Sequence, residues 1–379
     1  MDELPAMRGL RVLVRASLNV PLERGVVRDD FRLKAACETL GFLREQGARV
    51  VVLAHIGRDS RSSLRPVSER LREFLPHTFV DALTGPRVAA ALSALQDGEV
   101  LLLENVRSDP REEANDEAFA RNLASYADIY VNDALADSHR VYASIVGIPK
   151  FLPSYAGFSF ARAYETLSRA LAPQQPALCI IGGAKAETKL PLLERLAEIY
   201  DHVFVVGALA NDFFKAKGYE TGKSLVSDIT LADSPLLVHP RLGLPEDVVV
   251  DGPRGRAEKA AHAVSEDETI CDIGPQTLAR IAPLIAEAKT ILWNGPLGNY
   301  EKGYDEATSA LARMIASASR RSSAESIIGG GDTLAAIERL GLRERFSFVS
   351  TAGGAMLQFL TQGTLPGIEA LARSSDSTE

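Results

Sequence analysis

Glu325-Ser326-Ile327-Ile328-Gly329-Gly330-Gly331-Asp332-Thr333-Leu334-Ala335-Ala336-Ile337-Glu338-Arg339-Leu340 reads as a strand, a glycine turn and a helix. Three glycines let backbone pass close to a ligand and turn N–H groups toward it, while the helix dipole adds partial positive charge there. Such a turn suits a phosphate. Asp332 places a carboxylate where phosphate oxygens would gather, and a shared divalent cation, magnesium by preference, reconciles the two. Taken alone, the run is equally a plain glycine turn capped by Asp or Thr. Its weight comes from repetition along the chain.

The 379 residues are 46% hydrophobic, enough for two or three domains with sizeable cores. A formal net charge of −8 argues against a general nucleic-acid binder. Cys37, Cys179 and Cys271 lie far apart, without metal or redox spacing, and fit a reduced cytosolic protein. No apolar run reaches membrane-spanning length, and Met1-Asp2-Glu3-Leu4-Pro5 is acidic where a signal peptide would be basic. A cytoplasmic location with no membrane or nucleic-acid partner is therefore expected, with the polar tail Ser374 to Glu379 frayed.

Apolar runs alternate with amphipathic stretches, the mark of parallel sheets covered by helices. In the first half the runs Leu10–Val14, Val50–Ala54, Val100–Leu103 and Ile129–Val131 read as strands. The second is followed at once by His55-Ile56-Gly57-Arg58, the third by Glu104-Asn105-Val106-Arg107, and the fourth by Asn132-Asp133-Ala134 and His139-Arg140. Asn19 follows the first, and Arg32 opens a helix behind the acidic pair Asp29-Asp30. In an open α/β sheet the carboxyl ends of strands form the ligand crevice, so these cations are expected on one rim. Each arginine alone could be a solvated charge and His55 an ordinary buried histidine. Together they imply an anionic ligand, phosphate or carboxylate, held by forked hydrogen bonds.

Tyr155 to Leu171 reads as a long helix, and residues 158–172 as a hinge before Pro173-Gln174-Gln175-Pro176 resets the chain. The pattern then restarts with a glycine rim. Ala177–Ile181 ends in Gly182-Gly183-Ala184-Lys185, with Lys189 four residues on, so two ammonium groups on one helical face can reach one phosphate chain. Val203–Val206 ends in Gly207, Thr269–Asp272 in Gly274-Pro275, Thr290–Trp293 in Asn294-Gly295-Pro296-Leu297-Gly298, and Phe346–Ser350 in Gly353-Gly354. Gly218 to Ser224 imitates a P-loop but is one residue short and follows a helical segment, so it reads as a helix end. No Gly-x-Gly-x-x-Gly follows a predicted strand, which disfavours a nicotinamide dehydrogenase.

The ordered set of Leu18-Asn19-Val20-Pro21, His55-Ile56-Gly57-Arg58, Glu104-Asn105-Val106-Arg107, Val131-Asn132-Asp133-Ala134, His139-Arg140, Gly182-Gly183-Ala184-Lys185, Trp293-Asn294-Gly295-Pro296, Gly329–Thr333 and Leu365-Pro366-Gly367 resembles phosphoglycerate kinase over nearly the whole chain. The resemblance implies two Rossmann-like α/β domains of doubly wound parallel sheet joined by a hinge helix. Residues 1–157 with 364–379 would form the domain for the acid and 173–363 the nucleotide domain, the two closing around the reactants in a monomer. It implies that Ser17, Asn19, Arg32, His55, Arg58, Arg107 and Arg140 line the 3-phosphoglycerate site, with Arg32 and Lys185 stabilising the transferring phosphoryl group. It further implies that Gly183, Lys185, Lys189, Gly207, Asn294, Pro296, Gly298, Glu301, Gly330, Gly331, Asp332 and Thr333 contact ATP or ADP, and that Asp332 holds Mg2+.

The chain departs from the family's pattern at both ligands. Ser17 replaces an aspartate, a loss of about 1 to 3 kcal/mol of binding at a buried pair. Ala136-Asp137 replaces Gly-Thr, and Arg111 follows Ser108-Asp109-Pro110 where a Phe-His pair is usual. Val206, Ala208 and Ala352 replace glycines, and Asn299 an apolar residue. The readings carried forward are a phosphoglycerate kinase, a kinase of another hydroxy-acid carboxylate, and a non-catalytic nucleotide-binding module.

Overall fold

A computed structural model describes residues 6–184, 186–321 and 323–376. By contacts the chain divides into two compact units, one running to Glu165 and resuming at Thr364, the other spanning Thr166–Gly363.

The first unit is built on a six-stranded parallel sheet in the order Thr78–Val80, Val100–Leu103, Arg49–Leu53, Arg11–Ala16, Ile129–Asp133, Ser154–Ala156. Successive side chains of a strand leave on opposite faces, and the core follows that alternation. Val12, Val14, Val50 and Val52 join one buried cluster with Leu33 and Leu40 of the helix Phe31–Glu45. Leu13, Val51 and Leu53 join the other, with Phe119 and Leu123. Each such buried side chain contributes about 1.5–3 kcal/mol. Strand order reverses at Arg11–Ala16, so the crevice falls at the carboxyl ends of this strand and its neighbours. The chain's last helix, Pro366–Asp376, belongs to this unit. Gly367 N–H donates to the Ser138 carbonyl (2.8 Å), Ser374 Oγ to that of Leu152 (2.9 Å), and Ala370 packs on Ile145 and Val146.

The second unit carries its own parallel sheet, ordered Leu242–Gly243, His202–Val205, Ala177–Ile181, Thr290–Asn294, Glu325–Gly329, Phe348–Val349. Its order reverses between Ala177–Ile181 and Thr290–Asn294, and the turns after these two strands touch: Gly182 N–H donates to the Asn294 carbonyl at 2.8 Å.

Two expectations from sequence need correction. Thr269–Ile273 is a strand, but of a separate antiparallel sheet with Asp247–Asp251 and Ala257–Ala260. The connections here are too short for the helical crossover that parallel pairing requires. Tyr155 is not helical: Ser154–Ala156 pairs with Ile129–Asp133, and the helix runs Phe158–Ala170. Its start is set by Asp133, whose Oδ1 accepts from Phe160 N–H at 3.0 Å. The P-loop imitation follows the helix Ala208–Ala216 and opens at Gly218 with φ of 78°, a helix end.

Candidate functional site

In the first unit Asn19, Arg32 and Arg107 are tied together through backbone. Asn19 Oδ1 accepts from Gly57 N–H (2.9 Å), and Arg32 Nη1 donates to the Asn19 carbonyl (2.7 Å). Arg107 Nη1 donates to the Gly57 carbonyl (2.8 Å), and its guanidinium stacks 5.7 Å from the Tyr142 ring. Asn105, fully buried, fastens the loop: its Nδ2 donates to the Ile56 and Ser62 carbonyls while its Oδ1 accepts from Ile56 and Arg107 N–H. His55 is 3% exposed and meets Asp137 through Nδ1 at 3.3 Å. Asp137 in turn accepts from Arg140 N–H through its backbone carbonyl (2.9 Å).

Arg58 and Arg140 are exposed, and neither has an ion-pair partner among the described residues, whereas Arg107 approaches Glu113 only at 3.7 Å. Ser17 Oγ is buried and unpartnered. Burial pushes the His55 imidazole below its usual pKa against the pull of Asp137, and so favours the neutral ring at pH 7. Sequence reasoning quoted Asn105 within a motif without giving it a role, and gave none to Arg15 or Glu112. The available signal was a charge inside an apolar strand, Leu13-Val14-Arg15-Ala16, since a guanidinium there requires buried partners.

In the second unit a cavity of about 550 Å³ opens at the sheet's reversal point. Gly183, Gly207, Pro296, Gly298, Glu301 and Asp332, all expected at a nucleotide, line it, together with Ala208, Asn211, Phe214 and the antiparallel strand Thr269–Ile273. The volume is that of an ordinary small-molecule site. Gly183 has φ of 97°, and a Cβ there would sit 2.5 Å from Lys189 Nζ. Lys189 is buried and donates to the Gly182 carbonyl. Burial lowers its pKa to about 8 against the opposing charge of Asp332.

Asn294, Lys189, Gly330, Gly331 and Thr333 do not line the cavity but frame it. Thr333 Oγ1 accepts from Gly295 N–H (2.9 Å), and Trp293, wholly buried, donates its Nε1–H to the Gly295 carbonyl (2.8 Å). Asn294 Nδ2 is buried without a partner. Gly330 N-caps the helix Gly331–Arg339, whose first turn carries the exposed Asp332. Lys185 lies outside the described residues. No cluster of three metal-ligating side chains occurs among the described residues. A single exposed carboxylate at a glycine turn nonetheless fits Mg2+, which keeps several waters and commonly takes its other ligands from a substrate's phosphates.

A family model described as phosphoglycerate kinase matches residues 1–363. The phosphoglycerate kinase of Herpetosiphon aurantiacus is 43% identical over 97% of this chain and 97% of its own, and that of Moorella thermoacetica 42% identical over 95% and 96%. Among solved structures, phosphoglycerate kinase from Coxiella burnetii superposes with a TM-score of 0.86 at 37% identity, covering 98% of both chains. The enzyme from Pyrococcus horikoshii OT3 gives 0.84 at 29% identity, again over 98% of each. With both sheets, both glycine turns and the cation network falling inside these matches, the chain belongs to the phosphoglycerate kinase family.

Proposed function

We propose that the chain transfers a phosphoryl group between the acyl phosphate of 1,3-bisphosphoglycerate and ADP, or, in reverse, from ATP to the carboxylate of 3-phosphoglycerate. The observation that carries this reading is the cation network at the end of the first sheet, where Arg58 and Arg140 have no counter-ion among the described residues. Guanidiniums without counter-ions suit an anionic ligand bearing phosphate or carboxylate, and 3-phosphoglycerate carries both.

In the ATP-consuming direction, a carboxylate oxygen of 3-phosphoglycerate attacks the γ-phosphorus, the bond to the bridging oxygen breaks, and ADP leaves with that electron pair. The acceptor carboxyl has a pKa of roughly 3.5–4 and is already ionised, so no general base is required. Catalysis is positioning plus charge neutralisation. Asn19, His55, Arg58, Arg107 and Arg140 hold the acid, with Ser17 at its hydroxyl end. Arg32 and Lys185 neutralise charge on the migrating group. Gly183, Gly207, Pro296 and Gly298 bring backbone against the nucleotide, Glu301 takes the ribose, and Lys189 supports the phosphate turn. Asp332 holds Mg2+, which when bound neutralises phosphate charge.

The test is turnover by the purified protein: ATP consumption dependent on 3-phosphoglycerate, with the acyl phosphate trapped by hydroxylamine. Trapped product is the expected result. Nucleotide binding without 3-phosphoglycerate-dependent turnover would refute the reading.

A further inference from the structure

Arg15 lies on the strand Arg11–Ala16, shares a face with Leu13, and is 1% exposed. Each nitrogen of its guanidinium has a partner. Nε donates to Ser144 Oγ (3.0 Å), Nη1 to the Ala16 carbonyl (2.7 Å), and Nη2 lies 3.1 Å from both His55 Nδ1 and Asp137 Oδ2. Asp137 Oδ2 is itself 3.3 Å from the same His55 Nδ1. Three groups thus meet at one point, two of them buried charges.

A second buried carboxylate, Glu112, stands on the far side of Ser144, accepting from its N–H (2.8 Å) and its Oγ–H (2.5 Å). Burial pushes the Glu112 carboxyl up, with Arg15 and Ser144 opposing. Burial also disfavours charge on Asp137, but His55 and Arg15 outweigh it and hold that carboxyl well below the usual range. Asp137 is therefore the counter-ion of Arg15. The other charged group bearing on His55 is Arg107 from the turn Val106–Ser108, while Asp137, Arg140 and Arg107 also bear on His139.

The arrangement constrains the His55 ring in both protonation states. In the neutral ring, the Arg15 N–H can only be accepted at Nδ1, which forces the ring hydrogen onto Nε2. In the protonated ring, Nδ1–H turns to Asp137 and Nε2 keeps its hydrogen. We propose that Asp137 is a positioning residue for the acid substrate: with Arg15 it clamps His55 through Nδ1, so that Nε2 is always a donor to the anion, and its charge lets His55 take up a proton when that anion binds. The inference rests on the reading of this rim as the acid site. It also gives a role to two departures from the family's pattern, since a carboxylate absent at Ser17 is present at Asp137, where threonine is usual.

Asp137→Asn keeps the size and removes the charge. The expected result is a rise of about 10-fold in KM for 3-phosphoglycerate, the value of one charge-assisted hydrogen bond, with KM for ATP unchanged and kcat little affected. In the wild type, KM for the acid should fall as pH drops toward 6 while the ring charges. In Asp137→Asn this limb should move to lower pH, and on a His55→Ala background the substitution should leave KM for the acid unchanged. An unaltered pH profile, or an equal loss for ATP and acid, would overturn the proposal.

Should Asp137→Asn not fold, nitrogen-15 NMR of the wild-type imidazole decides instead. The Nε2–H tautomer in the free protein, with Nδ1 gaining a proton on 3-phosphoglycerate addition, supports the proposal; an Nδ1–H neutral ring overturns it. Absence of any 3-phosphoglycerate binding or turnover by the wild type would instead strike the functional reading, while the free-protein tautomer would still report on the clamp.

Discussion

Arg32 donates to the Asn19 carbonyl, and its proposed work is on charge that appears only during transfer. Arg32→Ala is therefore expected to lower kcat by about 100-fold or more while changing KM for either substrate much less, as steady-state kinetics would show. A matching loss in KM with kcat intact would remove it from the transition state. Lys189 gives a second expectation. With its pKa near 8 in the nucleotide-free protein, ADP affinity measured by calorimetry should weaken as pH rises through about 8, and Lys189→Met should abolish that limb. At this scale the sequence was partly legible. Strand-end cations and glycines could be read because ligand chemistry demands those residue types at those places. The burial of Arg15 was signalled by its apolar strand, but its pairing with Asp137 was not, because that pairing is a meeting of three segments distant in sequence: Arg15, His55 and Asp137 pair across 40 to 122 positions.

Elements carry their own conflicts. Asp133 starts the helix Phe158–Ala170 yet is 2% exposed, its Oδ2 unpartnered, and burial pushes its pKa up to about 7 against hydrogen bonds that favour the anion. A carboxyl whose pKa is raised on folding contributes stability that is fully present below the unfolded value near 3.8 and is lost as pH climbs through 7. Asp133→Asn can still accept from Phe160 N–H without a charge. It should flatten the pH dependence of urea-unfolding free energy between pH 4 and 7 and leave the protein more stable at pH 8, on the order of a few kcal/mol. The glycine turn after Thr290–Asn294 is the other case. Gly295 has φ of 97°, and a Cβ there would be driven into the backbone of Gly182. Gly295→Ala should cost about 1–3 kcal/mol by strain alone, and should weaken ADP binding because Pro296 and Gly183, the neighbours of Gly295 and Gly182 in the chain, line the cavity; isothermal calorimetry checks the second effect. Parallel strands were readable as apolar runs with loop signals. The antiparallel placing of Thr269–Ile273 was not, since its own pattern is that of any buried strand and its partner Asp247–Asp251 decides the direction.

Across the whole molecule, one tryptophan serves two units: Trp293 lies in the core of the second, its indole N–H bound to Gly295. Fluorescence thus reports one unit, whereas far-ultraviolet circular dichroism reports both. Leu13→Ala, in the first core, should lower stability there by about 2–5 kcal/mol, moving part of the dichroism transition to lower urea while the fluorescence midpoint stays. ADP at 100 times its Kd should raise the fluorescence midpoint by the equivalent of about 2.7 kcal/mol. Joint movement of both signals after Leu13→Ala would mean the units unfold as one. The closing helix Pro366–Asp376 has a further bearing on how such a polypeptide is made. A ribosome that has emitted the last strand of the opening sheet must still thread about 200 residues, on the order of 10–40 s at ordinary elongation rates, before the segment covering Ile145 and Val146 leaves the exit tunnel. Until then the nascent product carries a wet apolar face, and the half begun first is the half completed last.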